Sequence, residues 1–350
     1  MNEQFDIDGN VTATPEWTDW DIIAKSQAKT MDLLGQYDRI SCSISGGSDS
    51  DIMLDLVVRN APDLSKVHFI FFDTGIEYQA TKEHLDYLED RYGIKIERLK
   101  AKIPVPLGVK KMGVPFISKD ISAKIYSLQH NKFDFTNDGT LSAQELKAKY
   151  PKCNKGVGWW TNTSGYRFNI ERFLGLKEYM TEHPPTFNIS DRCCWGAKKS
   201  GAHEYTKKNN IQLELVGVRQ AEGGIRATTY KNCFTFEWGK ETQMYRPIFW
   251  YRDSTKRMYE EEYGIVHSRC YAEYGMKRTG CAGCPFNSRF QEDLKVLEQY
   301  EPKLYKAVCN IFGESYAYTE AYRQFKKELR NRKGQCEGQM SLFEEEGESQ

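Results

Sequence analysis

Apolar residues recur along the chain with two periods, one helical and one strand-like. Ile23, Ala24, Ala28, Met31 and Leu34 stand at helical spacing, so residues 1–38 are expected to form an arm followed by a helix. Residues 39–45 then read as a buried strand running straight into Gly46-Gly47. Ile52, Leu54, Leu56 and Val57 continue beyond it as a helix. A second strand at 67–72 ends at Asp73-Thr74-Gly75, and Ala80, Leu85, Tyr87 and Leu88 mark the helix that follows. A third strand at 95–99 completes a βαβαβ pattern. That alternation predicts an α/β fold with a mostly parallel sheet and ligands at the carboxyl ends of its strands.

From residue 104 to about 190 the pattern becomes helical and aromatic, with Trp159-Trp160 at its centre. A further strand is expected at 211–216, leading into Gly217-Val218-Arg219. Strand-like aromatic runs follow at 233–238 and 245–251, then helices at about 253–275 and 289–330. The expected layout is an arm and helix (1–38), a nucleotide-binding domain (39–286) with a helical insertion (104–190), helices at 287–330 and a flexible tail at 331–350.

Composition narrows the function classes. With 350 residues and 39% hydrophobic content the chain holds ample material for a core. Lys plus Arg equals Asp plus Glu at 49 each, which argues against a dedicated duplex-binding protein and leaves room for a local basic groove. The start, Met1-Asn2-Glu3-Gln4-Phe5-Asp6, lacks the layout of a signal peptide, and no stretch approaches the roughly 18 apolar residues of a membrane span. Ten cysteines without a leader suggest thiols, metal ligands or redox groups in a reducing cytoplasm rather than a disulfide framework.

The sharpest chemical signal is Ser45-Gly46-Gly47-Ser48-Asp49-Ser50, placed where a buried strand must turn into a helix. Glycines there let backbone amides approach an anion, and the helix N-terminus adds a favourable dipole. Ser45, Ser48 and Ser50 bring hydroxyls, while Asp49 is able to cap the helix or reach a metal. A capped turn without ligand is the bland alternative, and the flanking strand, helix and Asp73-Thr74-Gly75 argue against it.

The chain resembles the phosphoadenylyl-sulfate (PAPS) reductase family of pyrophosphate-loop proteins from about residue 39 to 286, through motifs in order. These are the loop, Phe72-Asp73-Thr74-Gly75-Ile76-Glu77-Tyr78, then Asp191-Arg192-Cys193-Cys194 with Lys198, then Gly217-Val218-Arg219-Gln220-Ala221-Glu222 with Arg226-Ala227. Pro247-Ile248 through Trp250, and Arg278-Thr279-Gly280-Cys281-Ala282-Gly283-Cys284-Pro285, complete the set. The resemblance implies a Rossmann-like nucleotide-hydrolase fold with adenosine held between the ends of the first two strands. It gives Ser45, Gly46, Gly47, Ser48, Asp49, Ser50, Asp73, Thr74, Gly75, Arg219 and Arg226 as nucleotide-binding residues. The two arginines suit bidentate binding of phosphate or sulfate oxygens.

Cys281 and Cys284 form a C-x-x-C turn that directs two thiolates at one metal or makes a redox dithiol. Adjacent Cys193 and Cys194 fit tetrahedral zinc poorly but reach different irons of a cubane. In iron–sulfur members of the family these four positions ligate a 4Fe–4S cluster, which the resemblance therefore implies here, with Lys198 and Arg278 beside it. Structural zinc and unligated thiols are the alternatives. Cys42 and Cys309 read as core residues; Cys153, Cys233 and Cys270 stay open between core and ligand, Cys270 being near enough to the C-x-x-C to serve as a spare ligand.

Two positions depart from the family. Its reductases carry a catalytic cysteine in a Glu-Cys-Gly-Leu-His-like tail, whereas this tail reads Gly334-Gln335-Cys336-Glu337-Gly338-Gln339, and Ser48 stands where many reductases place Lys. Two chemistries therefore compete: attack of Cys336 or another thiol on a sulfonucleotide, or α–β cleavage of ATP to activate a nucleic-acid acceptor for sulfur insertion, with magnesium bridging the triphosphate. The candidate catalytic residues are Asp49, Lys198, Arg278 and Cys336. A non-catalytic nucleotide sensor is the third reading. Gln339-Met340-Ser341-Leu342-Phe343 resembles the peptide with which bacterial repair proteins dock on the sliding clamp. Finally, residues 134–145 fit the EF-hand calcium template, but no second loop accompanies them, and an Asx turn with a Ser142–Glu145 helix cap is the preferred reading.

Overall fold

Ile40–Ile44, which reads Ile-Ser-Cys-Ser-Ile, forms a strand buried on both faces except for half-buried Ser43, its small serines fitting the inside of a parallel sheet. The computed structural model describes residues 4–5, 11–13, 17–163, 165, 169–223, 230–236, 239 and 241–345, with side chains among these from 17 to 332. It divides into two units, Met1–Lys102 with Lys198–Cys281, and Ile103–Ala197 with Ala282–Gln350.

In the first unit, β1 (Gln4–Phe5) and β2 (Val11–Ala13) pair as an antiparallel ribbon. The main sheet comprises β3 (Ile40–Ile44), β4 (Val67–Asp73), β5 (Ile96–Lys100), β6 (Leu213–Val216), β7 (Phe234–Thr235) and β8 (Gln243–Tyr245), in the order β5-β4-β3-β6-β8-β7. Every neighbouring pair is parallel except β7–β8. The expected α/β fold with a mostly parallel sheet is thus observed. Residues 246–251 differ from the strand expected there. Pro247 has no N–H to donate to a ladder, and the chain instead turns, with Phe249 N donating to Arg246 O and Tyr251 N to Ile248 O.

The helix Ser48–Asn60 follows β3 and is buried at every position from Ser50 to Val57, polar residues included. Met53, Leu54 and Val57 pack with Phe69, Phe71, Leu85 and Leu215, whereas Ile52 and Leu56 join Ile22, Ile23, Ile248 and Tyr259 in a separate cluster. Of its polar residues inside the core, Asp55 accepts from Arg59 Nε, Tyr92 OH and Tyr259 OH at 2.7–2.9 Å. Buried on all sides, this helix and β3 fix the loop between them.

The second unit is helical, with helices Val105–Met112, Lys119–His130, Ala143–Lys149, Asn154–Trp160 and Leu176–Glu182. Trp159 and Trp160 are fully buried among Phe133, Phe135, Leu128 and Val157. The helical insertion expected at 104–190 and the helices Phe290–Tyr300 and Pro302–Glu345 fall in this same unit. Tyr318, Tyr322 and Phe325 of the last helix pack on Tyr179. That helix runs into the 331–350 segment expected to be a flexible tail, where Lys, Gln, Met and Leu favour helix. Residues 134–145 adopt the turn and cap: Asp134 Oδ1 accepts from the amides of Thr136 and Asn137, and Ser142 and Glu145 exchange hydrogen bonds. Among the described residues no helix is long and apolar enough to cross a membrane.

Candidate functional site

The chain leaves β3 through Ser45 and turns at Gly46, whose φ of +67° suits a residue without Cβ. A Cβ there would come within 2.7 Å of Thr81 Cγ2. Gly47 is extended and caps the helix without a side-chain bond, so the first amides remain for other partners. Ser45 N donates to Ser50 Oγ at 2.9 Å, Gly47 N to Ser45 Oγ at 3.3 Å and Ser48 N to Tyr271 OH at 2.9 Å.

Around this turn lies a cavity of about 310 Å³ with Ser45, Gly47, Ser48, Asp49 and Ser50 on its loop side. Arg219 enters after β6. Its Nε donates to Asp49 at 2.9 Å and its Nη1 to Asp253 at 2.9 Å. Burial opposes the charge on Arg219, but the carboxylates of Asp49 and Asp253 outweigh it and hold the guanidinium above its ordinary pKa. Hydrogen bonding to Arg219 lowers Asp253 in turn. Lys256, on the helix Asp253–Tyr263, donates to Ser48 Oγ at 2.5 Å and to Asp49 Oδ1 at 2.8 Å. Lys277, Arg278 and Thr279 complete the lining.

Four cationic side chains, Arg219, Lys256, Lys277 and Arg278, thus face two carboxylates, Asp49 and Glu222. Asp253 and Glu260 pair with Arg219 and Lys256 from beside the cavity, so among the described residues the uncommitted positive charge is that of Lys277 and Arg278. Cations so placed beside amides and hydroxyls are chemically suited to a phosphate- or sulfate-bearing ligand. Of the residues expected from sequence, Ser45, Gly47, Ser48, Asp49, Ser50, Arg219 and Arg278 line this cavity. Lys256, Tyr271, Lys277 and Thr279 were not anticipated, and only the proximity of the last two to Arg278 could have suggested them.

The end of β4 is built differently. Thr74 is buried, its hydroxyl and amide both donating to Glu77 Oε1 at 2.5 and 3.2 Å, and Gly75 N donates to Asp73 Oδ1 at 2.8 Å. Cys281 Sγ lies 3.6 Å from Thr74 Oγ1. Asp73, Thr74 and Gly75 do not line the cavity. Behind the loop, buried Asp51 receives His84 Nε2 at 3.0 Å and His267 Nδ1 at 2.8 Å, while His267 Nε2 sits 2.8 Å from Glu260. Burial works against a charge on His267, yet its bonds to Asp51 and Glu260 prevail and raise its pKa to about 9.

The expected cluster ligands divide between the units, Cys281 in the first and Cys193, Cys194 and Cys284 in the second. None of the four is in a disulfide, so their donor chemistry fits an iron–sulfur group. Among the described residues, however, no three His, Cys, Asp or Glu side chains form a group that could hold a metal ion. Lys198 lies in the π-helical turn Trp195–Lys199 that follows the tandem cysteines. Arg226 and Ala227 fall outside the described residues, as do the side chains of Cys336 and of 339–343.

Comparison with known proteins agrees with the resemblance read from the motifs. Residues 39–118 match the phosphoadenosine phosphosulfate reductase domain, so the loop and second-strand signature carry that identification. No curated protein matches the chain. Solved structures that are similar include a phosphoadenylyl-sulfate reductase from Candida auris in a phosphate complex, 12% identical over 77% of this chain and 98% of that one, with a TM-score of 0.39. Another is the U34-tRNA thiolase NcsA from Methanococcus maripaludis with its 4Fe–4S cluster, 11% identical over 93% of this chain and 88% of that one, with a TM-score of 0.37. A third is an NH3-dependent NAD synthetase from Campylobacter jejuni in complex with nitrate, 12% identical over 86% of this chain and 96% of that one, with a TM-score of 0.36.

Proposed function

We propose that this chain, carrying a phosphoadenosine phosphosulfate reductase-type domain at residues 39–118, is an enzyme that binds an adenine nucleotide on the 45–50 loop and uses it in sulfur transfer or reduction. The observation that carries the reading is the convergence of loop amides and hydroxyls with Arg219 and Lys256 in one cavity, a setting suited to a polyanion. In the reductase form, a thiolate (Cys336 is the candidate) attacks the sulfur of a sulfonucleotide. The S–O bond breaks, the nucleotide leaves with the bonding pair, and an external thiol then displaces sulfite and leaves a disulfide.

A second reading is favoured by the position of Asp49, a carboxylate beside the cations where magnesium on a triphosphate would find an oxygen ligand. Here an acceptor oxygen, from a nucleic acid, attacks the α-phosphorus of ATP and pyrophosphate leaves. An incoming sulfur nucleophile then displaces AMP. In either form Cys193, Cys194, Cys281 and Cys284 are the proposed ligands of a 4Fe–4S cluster, which would supply soft iron sites for sulfur chemistry. The proposed compartment is the cytoplasm.

The test is anaerobic purification followed by calorimetric titration with ATP, adenylyl sulfate and its 3′-phosphorylated form, and assays for pyrophosphate and sulfite. Binding of none of the three refutes the nucleotide reading. Sulfite production selects the reductase, and pyrophosphate release selects the transferase. Brown protein that is bleached by Cys281→Ser or Cys284→Ser supports the cluster, and colourless protein with one zinc per chain refutes it.

A further inference from the structure

We infer that Lys256 supplies, from a separate helix, the phosphate-facing ammonium that residue 48 of the loop does not carry. The inference rests on the nucleotide reading above and assigns it a binding residue more than 200 positions away in sequence. Residue 48 is a serine at the first position of the helix Ser48–Asn60, and its neutral hydroxyl brings no charge to the cavity it lines. Lys256 Nζ reaches that same side chain, 2.5 Å from Ser48 Oγ, and stands 2.8 Å from Asp49 Oδ1. Its side chain is only 16% exposed and lines the cavity together with Gly47 and Ser50.

Pairing with Asp49 alone accounts poorly for this placement. Asp49 already receives Arg219 Nε at 2.9 Å. Ser48 Oγ is neutral, Glu260 is 3.8 Å away, and Asp253 on the same helix is engaged by Arg219. The ammonium moreover sits at a helix N-terminus, whose dipole repels a cation and attracts an anion. A lysine held there is poised to be shared with an anion that the helix end itself favours. Its three N–H directions allow a phosphate oxygen to join or replace Asp49.

The experiment measures ATP and adenosine affinity by calorimetry for the wild-type chain, Lys256→Met, Lys256→Arg and the double variant Ser48→Lys/Lys256→Met, with thermal melts of each. Lys256→Met is expected to weaken ATP binding by about 10- to 100-fold, the value of one charge-assisted hydrogen bond. Adenosine binding should be unchanged, because it lacks the phosphates. Lys256→Arg keeps the charge and should retain most of the affinity, which keeps the test sound if the Met variant folds badly. Restoring ATP affinity with Ser48→Lys in the Met background would establish that the ammonium, and not the helix it comes from, is what the loop needs. Wild-type ATP affinity in Lys256→Met, equal loss of ATP and adenosine, or no recovery in the double variant would overturn the inference while leaving the nucleotide reading standing. A wild-type chain that binds no adenine nucleotide would bring down both.

Discussion

Adding a single methyl group at Gly46 or at Gly47 should give opposite results, because the two glycines are needed for different reasons. At Gly46 the backbone has φ +67°, and an L side chain in that region costs roughly 1–2 kcal/mol. The new Cβ would also lie 2.7 Å from Thr81 Cγ2, and displacing that buried side chain adds about 1 kcal/mol. Gly46→Ala should therefore destabilise the fold by about 2–3 kcal/mol, a fall in melting midpoint of about 5–10 °C. Gly47 is extended, with φ −95° and ψ 154°, so alanine is unstrained there. The three atoms nearest its Cβ would be hydroxyl oxygens, Thr279 Oγ1 at 3.2 Å, Ser45 Oγ at 3.3 Å and Tyr271 OH at 3.4 Å, which need yield by only a few tenths of an ångström. Gly47→Ala should keep its stability to within about 0.5 kcal/mol. The methyl nevertheless stands inside the cavity where an anion approaches the amides, so ATP affinity should fall by more than about tenfold. Differential scanning calorimetry and titration calorimetry separate the two effects. Gly46→Ala melting no lower than Gly47→Ala, or Gly47→Ala binding ATP like the parent, would refute the reasoning.

His267 should make stability fall at alkaline pH: its folded pKa of about 9 lies above an unfolded value of about 6.5, so its contribution is complete below pH 6.5 and lost as pH rises through 9. That contribution is at most about 3 kcal/mol, and melts of the wild type and His267→Gln should converge above pH 9.5 or so. Ser142→Ala breaks the cap of the helix Ala143–Lys149 and should cost about 1 kcal/mol, whereas millimolar calcium should leave the melting midpoint unmoved; a rise with calcium would instead support the EF-hand template. In the tail, Cys336→Ser should leave turnover intact if ATP is cleaved and abolish sulfite release in a reductase; if residues 339–343 dock on a bacterial sliding clamp, Phe343→Ala should weaken its pull-down, and no capture by the parent chain refutes that docking.

The parts of the fold that were legible in the sequence are those in which neighbours in the chain decide the structure. β3, Gly46-Gly47 and the buried helix after them form one continuous stretch, and the glycine and apolar pattern there admits few alternatives. Where long-range contacts decide, the local pattern carries no signal. Lys256 belongs to a charged helix, Asp253–Tyr263, whose lysine looks like any solvated residue until the fold brings it against Ser48. Tyr271 bonds the amide of Ser48 from 223 residues away, and no local pattern marks it. Thr74 is a nucleotide contact only through the resemblance, on the second-strand signature that contains it. Its hydroxyl is committed to Glu77, a partner three residues on that the motif contained but whose role it did not reveal.

The cations of the cavity differ in burial, and this difference bears on how a charged nucleotide would be captured and then held. Lys277 and Arg278 are exposed at the rim, where their field reaches into solvent and is weakened by salt. Charges so placed raise the rate of encounter more than the lifetime of a complex. Arg219 is buried and already held by two carboxylates, so it is oriented before any ligand arrives and has the least freedom to move. Lys256 lies between these cases: it is mostly buried, and of its two hydrogen-bond partners only Asp49 is charged. Transferring Lys256 to a phosphate therefore gives up less than transferring Arg219, since Arg219 would surrender two ion pairs at 2.9 Å whereas Lys256 has one at 2.8 Å and a longer one, to Glu260, at 3.8 Å. The rim should set the salt dependence of association, Arg219 the fixed geometry, and Lys256 the strength with which the loop retains a phosphate.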